Sequence, residues 1–95
     1  MIYYKTREEI EILRRSSLLV SKTLAEVGAR IEPGVTPKEL DALAEEFILD
    51  HGAKPGFKGF NDYPYTLCTS VNEQVVHGMP TDKPLVSGDI ISVDC

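Results

Sequence analysis

The 95-residue sequence lacks the features that would place it in several common functional classes. No apolar run is long enough to span a bilayer, and no apolar signal-peptide segment follows Met1. Basic residues do not cluster and the formal net charge is −5, so neither a nucleic-acid partner nor a membrane partner is expected. Cys68 and Cys95 form no C-x-x-C pair, which predicts reduced thiols in a cytoplasmic protein. A glycine-rich phosphate loop and a Ser/His/Asp set are also missing.

The chain length limits the size of the hydrophobic core. Hydrophobic residues make up 42% of the sequence, which is ordinary for a globular chain. A domain of this size buries only about 60–65% of its unfolded surface. Without a disulfide framework, we therefore expect marginal stability, which fits a piece of a larger domain better than a finished protein.

Two amphipathic helices are the firmest structural predictions. Thr6–Glu9 is a capping box, and apolar side chains then recur at three- and four-residue steps until Gly28. A second capping box, Thr36–Glu39, includes a proline at the favoured first helical position, and Gly52 ends the apolar stripe that follows. Glycines, prolines and aromatic residues between positions 54 and 64 predict a loop.

Two strands are predicted at residues 66–71 and 90–94, and Val75–Val76 is a short apolar segment between them. The order of elements predicts an α+β fold in which both helical stripes cover one face of an antiparallel sheet. Alternation places Ile90, Ser92 and Asp94 on one face of the last strand. This strand has the pattern of a buried one, and we expect the natural polypeptide to continue beyond Cys95.

His77 and Asp94 are the residues most suited to chemistry. His77 lies between two strand-like segments beside Gly78, so it could contact a substrate or a metal, or simply hydrogen-bond its neighbours in a turn. Asp94 follows apolar strand residues, where a carboxylate must be paired, bound to a cation or turned towards water. The residues alone leave these alternatives open.

Aromatic side chains in the loop have two interpretations. They either wall an apolar pocket or anchor the loop to its own core; the residues concerned are Phe57, Phe60, Tyr63 and Tyr65. Cys68 is predicted to be a small buried hydrophobe. Physical chemistry alone therefore does not decide the function.

Three stretches of the sequence resemble the type I methionine aminopeptidases. They are Phe57–Phe60, the segment Cys68–Pro80 (CTSVNEQVVHGMP) and Gly88–Asp94. Thr6–Glu9 and Glu32–Thr36 also look like the N-terminal helices of the family and their connection, so the resemblance covers essentially the whole chain. It implies a pita-bread fold, with residues 1–95 forming the N-terminal part of a single peptidase domain that is interrupted within a strand at Cys95.

The resemblance also implies a metal-dependent aminopeptidase that removes the initiator methionine from nascent polypeptides. Asp94 matches the first carboxylate ligand of a pair of divalent ions of the cobalt, manganese, iron or zinc class. His77 matches the catalytic histidine that contacts the substrate near the scissile amide. The other family ligands lie beyond Cys95, so the 95-residue chain alone is expected to bind metal weakly and to be inactive.

Further implied sites concern the substrate and a second kind of ion. Phe60, Tyr63 and Cys68 match positions that line the methionine pocket, together with the histidine. Asn72 and Gln74 fall where the backbone carbonyls of some members of the family hold a monovalent cation. This match is less specific than the others. The implied partners are peptides with N-terminal methionine, nascent chains and, as a further candidate, the ribosome; the complete protein is expected to be a monomer.

Two other classes of protein are also compatible with the sequence. One is a non-catalytic pita-bread-like module that binds a protein partner, although the two testable positions, His77 and Asp94, are both retained. The other is a stand-alone α+β interaction domain without metal. That class predicts an independently stable fold, whereas half of a peptidase domain predicts an exposed apolar sheet edge.

Overall fold

The computed structural model describes residues 1–95 as two helices packed on a small antiparallel sheet. The helices are α1 (Arg7–Gly28) and α2 (Pro37–Asp50), and the strands are β1 (Cys68–Val71) and β2 (Ile91–Asp94). A single 3-10 turn, Phe60–Asp62, lies between α2 and β1. The predicted α+β class and both helices are confirmed. None of the helices combines the length and the hydropathy needed to cross a membrane.

Both predicted capping boxes are formed. The Thr6 hydroxyl accepts from the Glu9 amide at 3.1 Å, and the Glu9 carboxylate accepts from the Thr6 amide at 2.8 Å. Thr36 and Glu39 make the same pair of hydrogen bonds at 3.1 and 3.4 Å. Each box satisfies amide groups that have no partner within the helix, so the helix starts are encoded locally.

Replacing Thr36 by alanine is expected to lower the free energy of unfolding by about 1 kcal/mol, because it removes a cap from a helix that packs on the core. Thr6→Ala is the matched control, since the first turns of α1 are exposed and their fraying should leave global stability nearly unchanged. Urea denaturation of both variants measures the difference. Equal losses of stability would contradict this account.

The core lies between the carboxyl-terminal half of α1, α2 and the sheet. It is a cluster of five buried side chains: Val27, Leu40, Ala44, Leu67 and Leu85. The amino-terminal half of the predicted α1 stripe does not join it, since Ile10 and Leu13 are 48% and 51% exposed. Helix α1 has 22 residues and is about 33 Å long, whereas α2 has 14 residues and each strand has four. The first turns of α1 therefore extend past α2 and the sheet.

The strands differ from their predicted extents, and the reasons are visible in the hydrogen bonding. β1 begins at Cys68 because the amides of Thr66 and Leu67 donate to a helix carboxylate instead of to a partner strand. β2 begins at Ile91, and Ile90 is 73% exposed. β2 shows the predicted alternation, with half-buried Ile91 and Val93 on one face and exposed Ser92 and Asp94 on the other, and it pairs only with β1. Val75–Val76 is exposed and forms no strand.

Candidate functional site

A cavity of about 370 Å³ opens at the end of the sheet. Seven residues line it: Phe57, Phe60, Asn61, Tyr63, Cys68, His77 and Asp94. All five residues predicted for catalysis, metal binding and the methionine pocket are therefore brought together, although 34 positions separate the first from the last. The cavity combines three aromatic rings with a thiol, an imidazole and a carboxylate.

His77 is held beside β1 by hydrogen bonds of its neighbour. The Gly78 carbonyl accepts from the Thr69 amide at 2.8 Å, and the Gly78 amide donates to the Ser70 hydroxyl at 3.0 Å. His77 itself has a φ of 59°, a left-handed conformation that is costly for residues other than glycine. The exposed imidazole is thus presented to the cavity by a strained backbone that β1 anchors.

Asp94 reaches the cavity through the strand register. It lies directly opposite Cys68 in the antiparallel pair, so both side chains project from the same face of the sheet. Asp94 is exposed, and none of the ion pairs of the chain includes it. Its carboxylate is consequently available to a ligand from outside these residues.

The aromatic residues of the loop divide between the two predicted roles. Phe57, Phe60 and Tyr63 line the cavity, whereas Tyr65 packs edge-on against Tyr63 with 6.0 Å between ring centroids. The Tyr63 hydroxyl donates to the Leu67 carbonyl at 2.8 Å. Burial, followed by the neighbouring Cys68 thiol, raises the pKa of Tyr63 well above its ordinary value, so the phenol stays protonated and keeps donating.

Asn72 and Gln74 lie away from this cavity, in the turn after β1. The Asn72 side chain donates to the Asp89 carboxylate at 3.0 Å and accepts from the Ile90 amide at 3.0 Å, while Gln74 accepts from the Val71 amide at 3.1 Å. The bond from Asn72 is the largest cause that lowers the pKa of Asp89. Both side chains are thus used to shape turns, and cation binding by their backbone carbonyls stays a prediction.

Comparison with known proteins decides the family, because residues 11–95 match the metallopeptidase family M24. The chain belongs to this family. It is 46% identical to a methionine aminopeptidase of Clostridium perfringens over 95 residues, which are 100% of this chain and 38% of that relative. It is 47% identical to methionine aminopeptidase 1 of Bacillus subtilis over 94 residues, covering 99% of this chain and 38% of the relative.

Solved structures extend the similarity of this M24 chain to its fold. A methionine aminopeptidase from Rickettsia prowazekii superposes with a TM-score of 0.95 at 36% identity, over 99% of this chain and 38% of that one. The methionine aminopeptidase from Thermotoga maritima gives a TM-score of 0.94 at 42% identity, over 98% and 38%. The predicted family and the pita-bread fold are confirmed. The chain spans 38% of the length of these relatives.

Membership of the M24 metallopeptidase family implies divalent metal ions, and the donors of residues 1–95 fit them only in part. The Asp94 carboxylate is a hard oxygen donor of the kind that manganese and similar ions accept. However, no three His, Cys, Asp or Glu side chains within these residues are grouped to hold a metal. Asp94 therefore fits as one ligand, and residues 1–95 do not form a complete metal centre by themselves.

Asp41 of the M24 chain is a structural carboxylate that the sequence interpretation missed. It is 7% exposed, and its Oδ1 accepts from the amides of Thr66 and Leu67 at 2.9 and 2.7 Å. Burial raises the pKa of Asp41, and the two amide hydrogen bonds oppose that effect. A signal was available, because Asp41 shares the helical period of the buried residues Leu40, Ala44 and Ile48.

Proposed function

We propose that residues 1–95 form the substrate-pocket side of a metal-dependent methionine aminopeptidase that removes the initiator methionine from nascent polypeptides. The observation that carries the proposal is the single cavity shared by His77, Asp94, Cys68 and the aromatic rings. The relatives are named methionine aminopeptidases, which supports the proposal. The chain covers 38% of their length, so the remaining metal ligands would come from polypeptide outside residues 1–95.

The chemistry of the cavity wall suits a methionine side chain. Phe57, Phe60 and Tyr63 supply apolar ring surface, and Cys68 adds a small polarisable group to the wall. An unbranched thioether adapts to such a space and makes favourable contacts with aromatic edges. The cavity volume of about 370 Å³ accommodates one side chain of this size.

Two residues are proposed to act on the reacting end of the substrate. Asp94 would supply one carboxylate to divalent ions of the cobalt, manganese, iron or zinc class; when bound, such ions activate water and polarise a carbonyl group. His77 would hold an imidazole nitrogen within hydrogen-bond reach of the scissile amide and stabilise charge that develops there. The substrates would be cytoplasmic nascent chains and peptides with N-terminal methionine.

The test uses the protein purified from its own cells, with its intact mass measured first. We expect release of free methionine from Met-Ala-Ser in the presence of Mn²⁺, loss of the reaction on addition of a chelator, and recovery when Mn²⁺ is returned in excess. Leu-Ala-Ser and N-acetylated Met-Ala-Ser are the controls and should not be cleaved. An intact mass of 10.5 kDa together with no methionine release would overturn the proposed function and leave the family assignment unchanged.

A further inference from the structure

Asp41 does not line the cavity, yet it holds the segment that enters it. Its Oδ1 accepts both from Thr66 and from Leu67, the two residues immediately before Cys68. Thr66 and Leu67 are 1% and 0% exposed, so their amides have no water to replace this carboxylate. The start of β1, and with it the position of the Cys68 thiol, is thereby tied to helix α2.

The same peptide segment is held from the other side by a residue of the cavity wall. The Leu67 carbonyl accepts from the Tyr63 hydroxyl at 2.8 Å, while the Leu67 amide donates to Asp41 at 2.7 Å. Leu67 therefore links the buried carboxylate to Tyr63 on one side and to Cys68 on the other. A shift of this peptide would move two walls of the cavity together.

A buried carboxylate is a costly way to fill a helix position that faces the core. Burial is the largest influence on Asp41 and raises its pKa, because the charged form is poorly solvated there. An apolar side chain would pack at such a position without this penalty, but it would leave the amides of Thr66 and Leu67 without an acceptor. The residue type is thus explained by the peptide segment that it orients.

We propose that Asp41 is a positioning residue that sets the shape of the methionine pocket through Leu67, by fixing Tyr63 and Cys68. The inference rests on the proposed function for the identity of the ligand. The hydrogen bonds that carry it are independent of that function. Two experiments separate the two claims.

The first experiment measures how fast Cys68 reacts with the disulfide reagent DTNB in a Cys95→Ser background, with the labelled position identified by mass spectrometry of the digested protein. The free energy of unfolding of each variant is measured in urea, and the rates are compared with those expected from unfolding alone. Asp41→Ala should label at least about tenfold faster than Val27→Ala after this correction, because it loses two buried hydrogen bonds at the pocket. Asp41→Asn, which keeps an acceptor oxygen, should label within about threefold of the parent.

Val27→Ala is the matched control because Val27 lies in the same core but makes none of these hydrogen bonds. Equal corrected rates in Asp41→Ala and Val27→Ala would overturn the proposal. If Asp41→Ala does not fold, Tyr63→Phe decides the question, since it removes the bond to the Leu67 carbonyl and keeps the aromatic ring in the cavity wall. If the rate of Cys68 labelling were unchanged in folded Tyr63→Phe, the proposal would then be overturned.

The second experiment follows hydrolysis of Met-Ala-Ser by the same protein that is used to test the function. Asp41→Ala should raise KM by about tenfold and change kcat by less than about threefold, with recovery in Asp41→Asn. A loss confined to kcat would count against a role in shaping the pocket. If the parent protein releases no methionine, the proposed function fails, and the labelling of Cys68 still decides whether Asp41 positions the cavity.

Discussion

Replacing Gly78 by alanine is expected to lower the free energy of unfolding by about 3 kcal/mol and to displace His77 from the cavity. A Cβ atom at this position would lie 2.1 Å from the Thr69 carbonyl oxygen and 3.0 Å from the Ser70 Cα. Both are backbone atoms of β1, so neither can move aside without disturbing the sheet. The strand and the loop cannot keep their present separation once the methyl group is added.

The same substitution breaks the attachment of the loop that carries His77 to β1. Thr69 donates to the Gly78 carbonyl, and Gly78 donates to the Ser70 hydroxyl, so separating the two segments loses both hydrogen bonds. His77 has a positive φ that only its anchored surroundings maintain. We therefore expect the imidazole to leave the cavity wall in any part of the population that remains folded.

Gly56→Ala is the matched control for Gly78→Ala. Nothing lies within 4 Å of a Cβ atom built at Gly56, and its φ is not in the left-handed region. Its free energy of unfolding should change by less than about 1 kcal/mol. Urea denaturation gives both values, and the imidazole proton resonances report the environment of His77. If Gly78→Ala unfolded at the same urea concentration as the parent protein, the close approach of Gly78 to β1 would be refuted.

The helices could be predicted from the sequence because their determinants are local. Each capping box spans four residues, and both formed with the predicted partners. The extent of burial along α1 could not be predicted, since it depends on how far the neighbouring layers reach. The periodic stripe was therefore correct as a helix signal, yet its first turns, including Ile10 and Leu13, are exposed in this chain.

The cavity illustrates what residue patterns do and do not specify. His77 and Asp94 could each be singled out as unusual, but their proximity depends on the register of β1 with β2 and on the bonds of Gly78 to β1. Neither feature follows from local propensity. The predicted grouping came from resemblance to a family, and the role of each residue in it stays a prediction.

Asp41 is the opposite case, because the helical period of α2 is enough to predict its burial. Its position in the buried period of α2 indicates a carboxylate inside the core, where hydrogen-bond partners are required. The identity of those partners, 25 and 26 residues further along the chain, is a tertiary feature. It also explains why β1 starts two residues later than its apolar pattern suggests.

Loss of His77 or of Asp94 is expected to have the largest effect on activity. We expect Asp94→Ala and His77→Asn each to lower kcat/KM for Met-Ala-Ser by about 100-fold or more, in a protein that releases methionine. Asparagine is chosen at position 77 because it tolerates the positive φ of 59° while removing the imidazole. Both side chains are exposed, so the free energy of unfolding should change little.

The two variants should differ in their response to metal. Asp94→Ala should need a higher Mn²⁺ concentration for half-maximal activity, because it removes one proposed ligand, whereas His77→Asn should keep the parental Mn²⁺ dependence and lose kcat. Asp82→Ala is the control: that carboxylate is exposed and pairs with Lys38 at 3.1 Å, outside the cavity. If Asp94→Ala and Asp82→Ala had the same activity and the same Mn²⁺ dependence, Asp94 would not be a ligand of the metal. An identical shift of Mn²⁺ dependence in both cavity variants would mean that His77 binds metal and does not act on the substrate amide.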